Sequence, residues 1–361
     1  MLQARSSLKR RTILSVAYPL APVSRDATGG AEQVLAMLDD ALTRAGHRSV
    51  VVACEGSSAA GTLIETPRVD GPLDDAAREA AWEQTRHAIR RALDCWDVDL
   101  VHMHGVDFYR YLPPPKVPVL ITLHLPPSWY PPQIFRPERP NTFLYCVSAA
   151  QQRACPLGAR LLPPIENGVP VERLAARVRK RDWAMALGRI CPEKGFHLAL
   201  DAARRADCPL LLGGQVYRYV AHERYYHDEI VPRLDCARRF IGPLGFERKR
   251  RLLSAAQCLL APSLAPETSS LVAMEAMACG TPVIAFRSGA LAEIVEDGKT
   301  GFLVNGVEEM AQAISAAKTL DPETCRRVAR ERFSAERMTA RYLELYEKIS
   351  EIRGQIYCHA H

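Results

Sequence analysis

Glu267 and Glu275 stand eight positions apart around a run of hydroxyl residues, Thr268, Ser269 and Ser270. This run opens a helix that holds Glu275 and stops at Gly280 and Pro282, a C′ glycine followed by a proline. The hydroxyls and the N–H groups of Ser270 and Leu271 can cap that helix, and a helix start attracts an anion. The carboxylates accept hydrogen bonds from neutral hydroxyls nearby. Phosphate and sugar together are the ligand this pattern would hold. Ordinary capping is the competing reading, with Glu267 on the helix dipole and Glu275 facing solvent. Against it, Val272, Ala273, Met274, Ala276, Met277 and Ala278 make the helix apolar nearly all round. Such a helix is buried, so Glu275 needs a partner other than water. A ribose or sugar hydroxyl would supply one.

Arg189 and Lys194 lie in a loop that runs from Gly188 to Gly195, between a strand pattern and a helix pattern. They are the two cations best placed to meet a phosphate. A solvated basic loop is the alternative, but the acid–hydroxyl helix start in the same half of the chain favours the phosphate. In the first half, Gly29 and Gly30 sit between a strand and a helix, where two glycines let the backbone approach a diphosphate or simply form a turn. His102, His104 and His124 fall at predicted strand ends on one sheet edge; a lone strand-end histidine is more often structural, and three near one edge raise the chance that one faces a cleft.

These residues need a scaffold, and alternating β-rich and helical patterns predict doubly wound α/β architecture. Strands are expected over 12–17, 49–54, 99–102, 118–124 and 142–147, with helices over 30–45 and 74–93. A proline-rich stretch at 163–170 and a charged segment at 172–182 look like an interdomain connection. A second series follows, with strands over 183–187, 210–212, 239–241, 258–261 and 283–286. Helices are expected over 195–206, 222–234 and 247–256, besides the one holding Glu275. The last helix, 335–353, places Met338, Tyr342, Leu345, Tyr346 and Ile349 on one stripe that must dock.

With 361 residues, 48% hydrophobic, the chain can bury two cores. A formal charge of +6 spread along the chain suits an anionic small molecule or a lipid surface better than a nucleic-acid footprint. The run Arg248, Lys249, Arg250 and Arg251 reads as the exposed face of a helix, with lipid contact as the lesser alternative. Eleven cysteines show no pairing that suggests zinc, and they read as reduced, buried residues of a cytoplasmic protein. Arg5, Lys9, Arg10 and Arg11 make a short basic lead that reads as a solvated tail, with weak contact with the inner membrane face as the lesser alternative. No apolar run reaches the roughly 20 residues of a membrane-spanning helix.

Together these motifs resemble the family-four retaining glycosyltransferases of GT-B fold (glycosyl transferases group 1). The strongest segments are Gly188–Arg189 with Pro192, Glu193, Lys194 and Gly195; Glu267 with Glu275; Gly280 to Ala285; and Gly298 to Val304. Gly29 to Glu32, His102 to Gly105, Thr122 to His124, Val147–Ser148 and Asn167 to Val169 support them. The resemblance implies two Rossmann-like domains with an interdomain cleft and a C-terminal helix crossing back to the first. An acceptor-binding domain would span 1–170 plus 336–361, and a nucleotide-sugar domain 171–335. It further implies a nucleoside-diphosphate-sugar donor, a carbohydrate, lipid or small-molecule acceptor, and neither cofactor nor metal.

By the same resemblance Arg189 and Lys194 bind the diphosphate, Glu275 the ribose hydroxyls, and Glu267 lies beside the donor sugar. Gly242 and Leu244 line the base pocket, Gly30 approaches the phosphates, and His124 sits near the transferred sugar and acceptor. Many relatives have Pro-Phe-Gly where this chain has Thr268, Ser269 and Ser270, so donor preference does not carry over. Loops 109–115 and 126–140 are expected to shape the acceptor site, or their aromatics simply to pack. Two alternatives are a nucleotide-sugar epimerase or hydrolase of the same fold, and a catalytically silent nucleotide-binding module. A nicotinamide dehydrogenase is disfavoured because no GxGxxG follows the first strand.

Overall fold

The computed structural model describes residues 10–358 apart from 70, 72 and 177. Arg5 and Lys9 of the basic lead, and the last three residues of the expected returning segment, lie outside the described residues. Two compact units divide the chain. The first takes the described residues up to Cys146, then Ala154–Ile165 and the chain from Thr339. The second takes Val147–Arg153 and Glu166–Met338.

In the first unit, valine-, isoleucine- and leucine-rich segments make a parallel sheet of β1 (Thr12–Val16), β2 (Arg48–Cys54), β3 (Thr62–Thr66), β4 (Leu100–Met103), β5 (Val119–Leu123), β6 (Thr142–Cys146) and β7 (Leu161–Leu162). Its order is β3-β2-β1-β4-β5-β6-β7. β1, β4 and β5 are buried almost throughout, as parallel strands covered on both faces must be. Helix Asp75–Cys95 starts at Asp74, whose carboxylate accepts the N–H of Ala77 at 2.8 Å.

The second sheet contains β8 (Ala184–Leu187), β9 (Leu210–Gly213), β10 (Arg238–Gly242), β11 (Cys258–Ala261), β12 (Val283–Phe286) and β13 (Gly301–Val304), in the order β10-β9-β8-β11-β12-β13. All its pairs are parallel. Both sheets reverse strand order at their first strand, which makes a crevice at the carboxyl ends of β1 and β4 and of β8 and β11 the natural ligand position in each unit.

Three strands were absent from the sequence reading. β3 is a half-exposed edge strand, β7 has two residues before Pro163, and β13 follows a glycine-rich turn. The helix expected over 222–234 is broken. It runs Val220–Tyr225, passes through a π-helical turn at Tyr226–Ile230, and ends in a 3₁₀ turn holding Pro232, which has no N–H to continue it.

The last helix, Ala335–Cys358, belongs to the first unit from Thr339 onward. Met338, Tyr342, Tyr346 and Ile349 are buried as the stripe requires, whereas Leu345 is half-exposed. Among the described residues no helix is long and apolar enough to cross a membrane.

Candidate active site

In the second unit, helix Leu271–Ala278 starts where Ser270 Oγ accepts the N–H of Ala273 at 3.4 Å. It ends in a Schellman turn, with Gly280 N–H on the Met277 carbonyl and Thr281 N–H on that of Ala276, both at 2.8 Å. Its first two N–H groups, on Leu271 and Val272, have no carbonyl within the helix to reach. Ser269 Oγ is shielded from solvent and lacks a hydrogen-bond partner.

The two glutamates flank this start in matching ways. Glu267 Oε1 accepts Lys194 Nζ and Ser263 Oγ, each at 2.5 Å. Glu275 Oε1 accepts Lys249 Nζ at 2.5 Å. Among the described residues Oε2 of neither glutamate has a hydrogen-bond partner, so one oxygen is anchored and the other is left to accept a hydrogen bond. The expectation that a ligand hydroxyl would partner buried Glu275 is therefore corrected in part, because Lys249 neutralises it first. That lysine also departs from the exposed basic face read for 248–251. Arg248 and Arg251 are exposed, while the Lys249 side chain is only 14% exposed and points to Glu275. Sequence reasoning missed Lys249 and Ser263; the apolar surroundings of Glu275 were the one signal that a cation had to be close.

Backbone contacts fix the segment bearing Glu267. The Glu193 carbonyl accepts the N–H groups of Leu264 and Ala265 at 2.8 and 3.3 Å. Beyond it, Ala290 N–H bonds the Glu267 carbonyl at 2.8 Å, and Ser288 Oγ bonds that of Ala265 at 2.9 Å. Gly289 makes this approach feasible. With φ of +56°, a Cβ there would lie 2.2 Å from the Glu267 carbonyl oxygen. Arg189 is exposed at the end of β8, and its guanidinium pairs with no described residue. Gly242 closes β10 with open space around it, and Leu244 packs beside Gly213. Lys194, Glu267, Ser269, Ser270 and Leu271 are thus gathered at one helix start, with Glu275 one helical stretch further in.

The first unit carries the histidines. His102 is wholly buried, hydrogen-bonded through Nδ1 to Tyr346 OH and through Nε2 to Thr122 Oγ1, both at 2.7 Å. Thr122 continues to Tyr145, and Tyr145 to Tyr342. His104 Nδ1 lies 3.0 Å from His124 Nε2, while His104 Nε2 is shielded and unpartnered. Burial pushes all three pKa values down, that of His124 to about 3, so these rings are neutral near pH 7. Beside Gly29 lies the Glu32 carboxylate, 1.8 Å from where a Cβ on that glycine would stand. Gly30 begins helix Gly30–Arg44. In the expected acceptor loops, Tyr111, Tyr130 and Phe135 belong to the core, whereas Tyr109 and Trp129 are exposed. A cavity of about 400 Å³ beside Trp96 and Lys116 lies where β4 and β5 begin, the end opposite the histidines.

Residues 181–318 match the family model described as glycosyl transferases group 1, and residues 28–161 match that of glycosyltransferase family 4. The chain belongs to glycosyltransferase family four. Among curated members, the D-inositol 3-phosphate glycosyltransferase of Kribbella flavida is 36% identical over 179 residues, 44% of this chain and 42% of that one. The chain spans about half or less of the length of the curated relatives it matches. Among solved structures, AviGT4, a glycosyltransferase of avilamycin A biosynthesis, aligns with a TM-score of 0.69 at 25% identity over 94% of this chain and 98% of its own. Anabaena Alr3699/HepE, solved with UDP and glucose, aligns with a TM-score of 0.72 at 19% identity over 94% and 100%. The two parallel sheets are those of the family's two-domain GT-B fold.

Proposed function

We propose that this family-four member transfers a hexose-type sugar from a nucleoside-diphosphate sugar to an acceptor hydroxyl, with retention at the anomeric carbon. The observation that carries the reading is the matched pair of glutamates, each tied to a lysine through Oε1 with Oε2 open, at a helix start with unpaired N–H groups. Glu275 would take ribose hydroxyls and Glu267 a hydroxyl of the donor sugar. Arg189, Lys194 and the N–H groups at Leu271 would meet the diphosphate, with Gly242 and Leu244 near the base. As the sugar departs, negative charge grows on the leaving phosphate, where preorganised donors lower the barrier most directly.

Glu267 Oε1 is held by an ammonium and a hydroxyl, and in this reading Oε2 accepts a sugar hydroxyl instead of attacking the anomeric carbon. Attack by the acceptor on the face that the phosphate leaves, with the phosphate taking the acceptor proton, accounts for retention without an enzyme-bound sugar. His124, neutral and bonded to His104, would orient hydroxyls in the first unit as a hydrogen-bond partner, not as an acid. The acceptor would be a carbohydrate, lipid or small molecule.

The test incubates the protein with a panel of nucleoside-diphosphate sugars, with and without candidate acceptors. Nucleoside-diphosphate release that depends on acceptor, and a product whose anomeric configuration matches the donor's by NMR, are expected. Conversion without acceptor would assign an epimerase or hydrolase instead. Inverted product would sink the retaining step. Binding without turnover would indicate a silent nucleotide-binding module.

A further inference from the structure

The loop that carries Arg189 and Lys194 has a second cluster on it that the donor reading leaves unused. We propose that Cys191, Glu193 and His222 form a site for a divalent transition-metal ion of the zinc class, with a fourth position open to water. The Cys191 sulfur, a Glu193 carboxylate oxygen and a ring nitrogen of His222 all lie within 4.8 Å of one another. Backbone structure prepares the three. Cys191 is the extended residue before the 3₁₀ turn Pro192–Lys194, and His222 lies in the short helix Val220–Tyr225. Tyr219 and Tyr217 stand edge-on to the His222 ring, at centroid distances of 5.2 and 6.3 Å.

A thiol–carboxylate hydrogen bond explains only part of this arrangement. Cys191 does donate toward Glu193 and, at 3.5 Å, toward the Arg189 carbonyl. Neither contact serves His222, whose Nδ1 is shielded from solvent and has no hydrogen-bond partner. A metal would draw all three groups into one arrangement.

Thiolate, imidazole and carboxylate are the ligands zinc takes, and three protein ligands leave one position open. Metal–ligand bonds of about 2.0–2.3 Å put tetrahedral ligand atoms roughly 3.3–3.8 Å apart. Glu193 is exposed, so rotation of its side chain can close the remaining gap. Charge also balances. One thiolate and one carboxylate neutralise a divalent ion, which spares the neighbouring Arg189 a net positive site. Burial and the Glu193 contact push the thiol up to about 11, while burial and Arg189 push His222 down. The imidazole therefore enters neutral, the sulfur–proton bond breaks as the sulfur–metal bond forms, and one proton leaves to solvent for each metal bound. Occupancy would tie helix Val220–Tyr225 to the turn whose Glu193 carbonyl holds Leu264 and Ala265. The assignment does not depend on the donor reading.

The experiment titrates the chelator-stripped full chain with Co²⁺ and then competes with Zn²⁺. A near-ultraviolet sulfur-to-cobalt charge-transfer band, displaced by Zn²⁺, is expected in the wild type and in Cys236→Ser, an exposed cysteine outside the cluster. The band is lost in Cys191→Ser. Outer-shell substitutions typically cost about 10–100-fold in metal affinity, so losing a direct ligand in His222→Gln should cost at least about 100-fold. Absence of the band, or its persistence in Cys191→Ser, overturns the site. Should Cys191→Ser fail to fold by circular dichroism, His222→Gln decides alone, and unchanged Zn²⁺ affinity there overturns the proposal.

Discussion

Lysine anchoring of the two glutamates has different consequences at the two positions. Lys249 and Glu275 are nearly out of solvent, with side chains 14% and 3% exposed. Lys249→Met would leave a buried carboxylate uncompensated, a change that typically costs about 3–5 kcal/mol. Urea unfolding should show this as a lower midpoint with an unchanged slope, and a midpoint equal to wild type would mean the pair is not buried. Lys194 and Glu267 are more accessible, so Lys194→Ala should leave the fold intact by circular dichroism. Removing one donor to developing charge typically costs roughly 100- to 1,000-fold in rate. Near-normal sugar transfer would remove Lys194 from the diphosphate. The four charged residues Arg189, Lys194, Glu267 and Glu275 could be read in the sequence because each lies in a short local pattern. Lys249 could not, since its partner is 26 positions away on another helix and a basic run disguises it.

Elements set the position of Glu267 through close backbone contact, and Gly289 is where that can be tested. Gly289→Ala would force the Glu267 backbone away, and a misplacement near 1 Å can cost about 100-fold in rate. Gly298 provides the control. It has a similar φ of +74°, but a Cβ there meets nothing within 4 Å. Gly298→Ala should lower the unfolding midpoint slightly and leave turnover alone. Equal kinetic losses in the two variants would mean that the contact with Glu267 is irrelevant. At this scale the buried strands were legible from their apolar runs, while short β7 and edge strand β3 lacked the length or burial that makes a strand visible. Pro232 was visible, yet the periodicity around it suggested a continuous helix where the chain turns through two irregular ones.

Across the whole chain, the first unit is completed by residues from its far end, and His102 and Tyr145 make that junction. Tyr346 meets His102 across 244 positions, and Tyr342 meets Tyr145 across 197. The apolar stripe of the last helix announced that it must dock; the hydroxyls that select its berth could not be read from periodicity. Their dependence on neutral imidazole gives the junction a pH response. Burial depresses the pKa values of His102, His104 and His124, the last to about 3, whereas an unfolded histidine titrates near 6.5. Between those values the unfolded chain binds more protons than the folded one, so stability rises with pH. The contribution is complete above about pH 6.5 and falls as pH drops toward 3, by up to about 1.4 kcal/mol per pH unit for each histidine kept neutral. Urea midpoints between pH 7 and pH 4, followed by tyrosine fluorescence, should decline steeply for the wild type. His102→Gln keeps a hydrogen-bonding side chain that does not titrate, so it should start less stable at pH 7 but decline less steeply. Parallel curves for the two proteins would exclude His102 from the acid response and leave His104 and His124 to account for it.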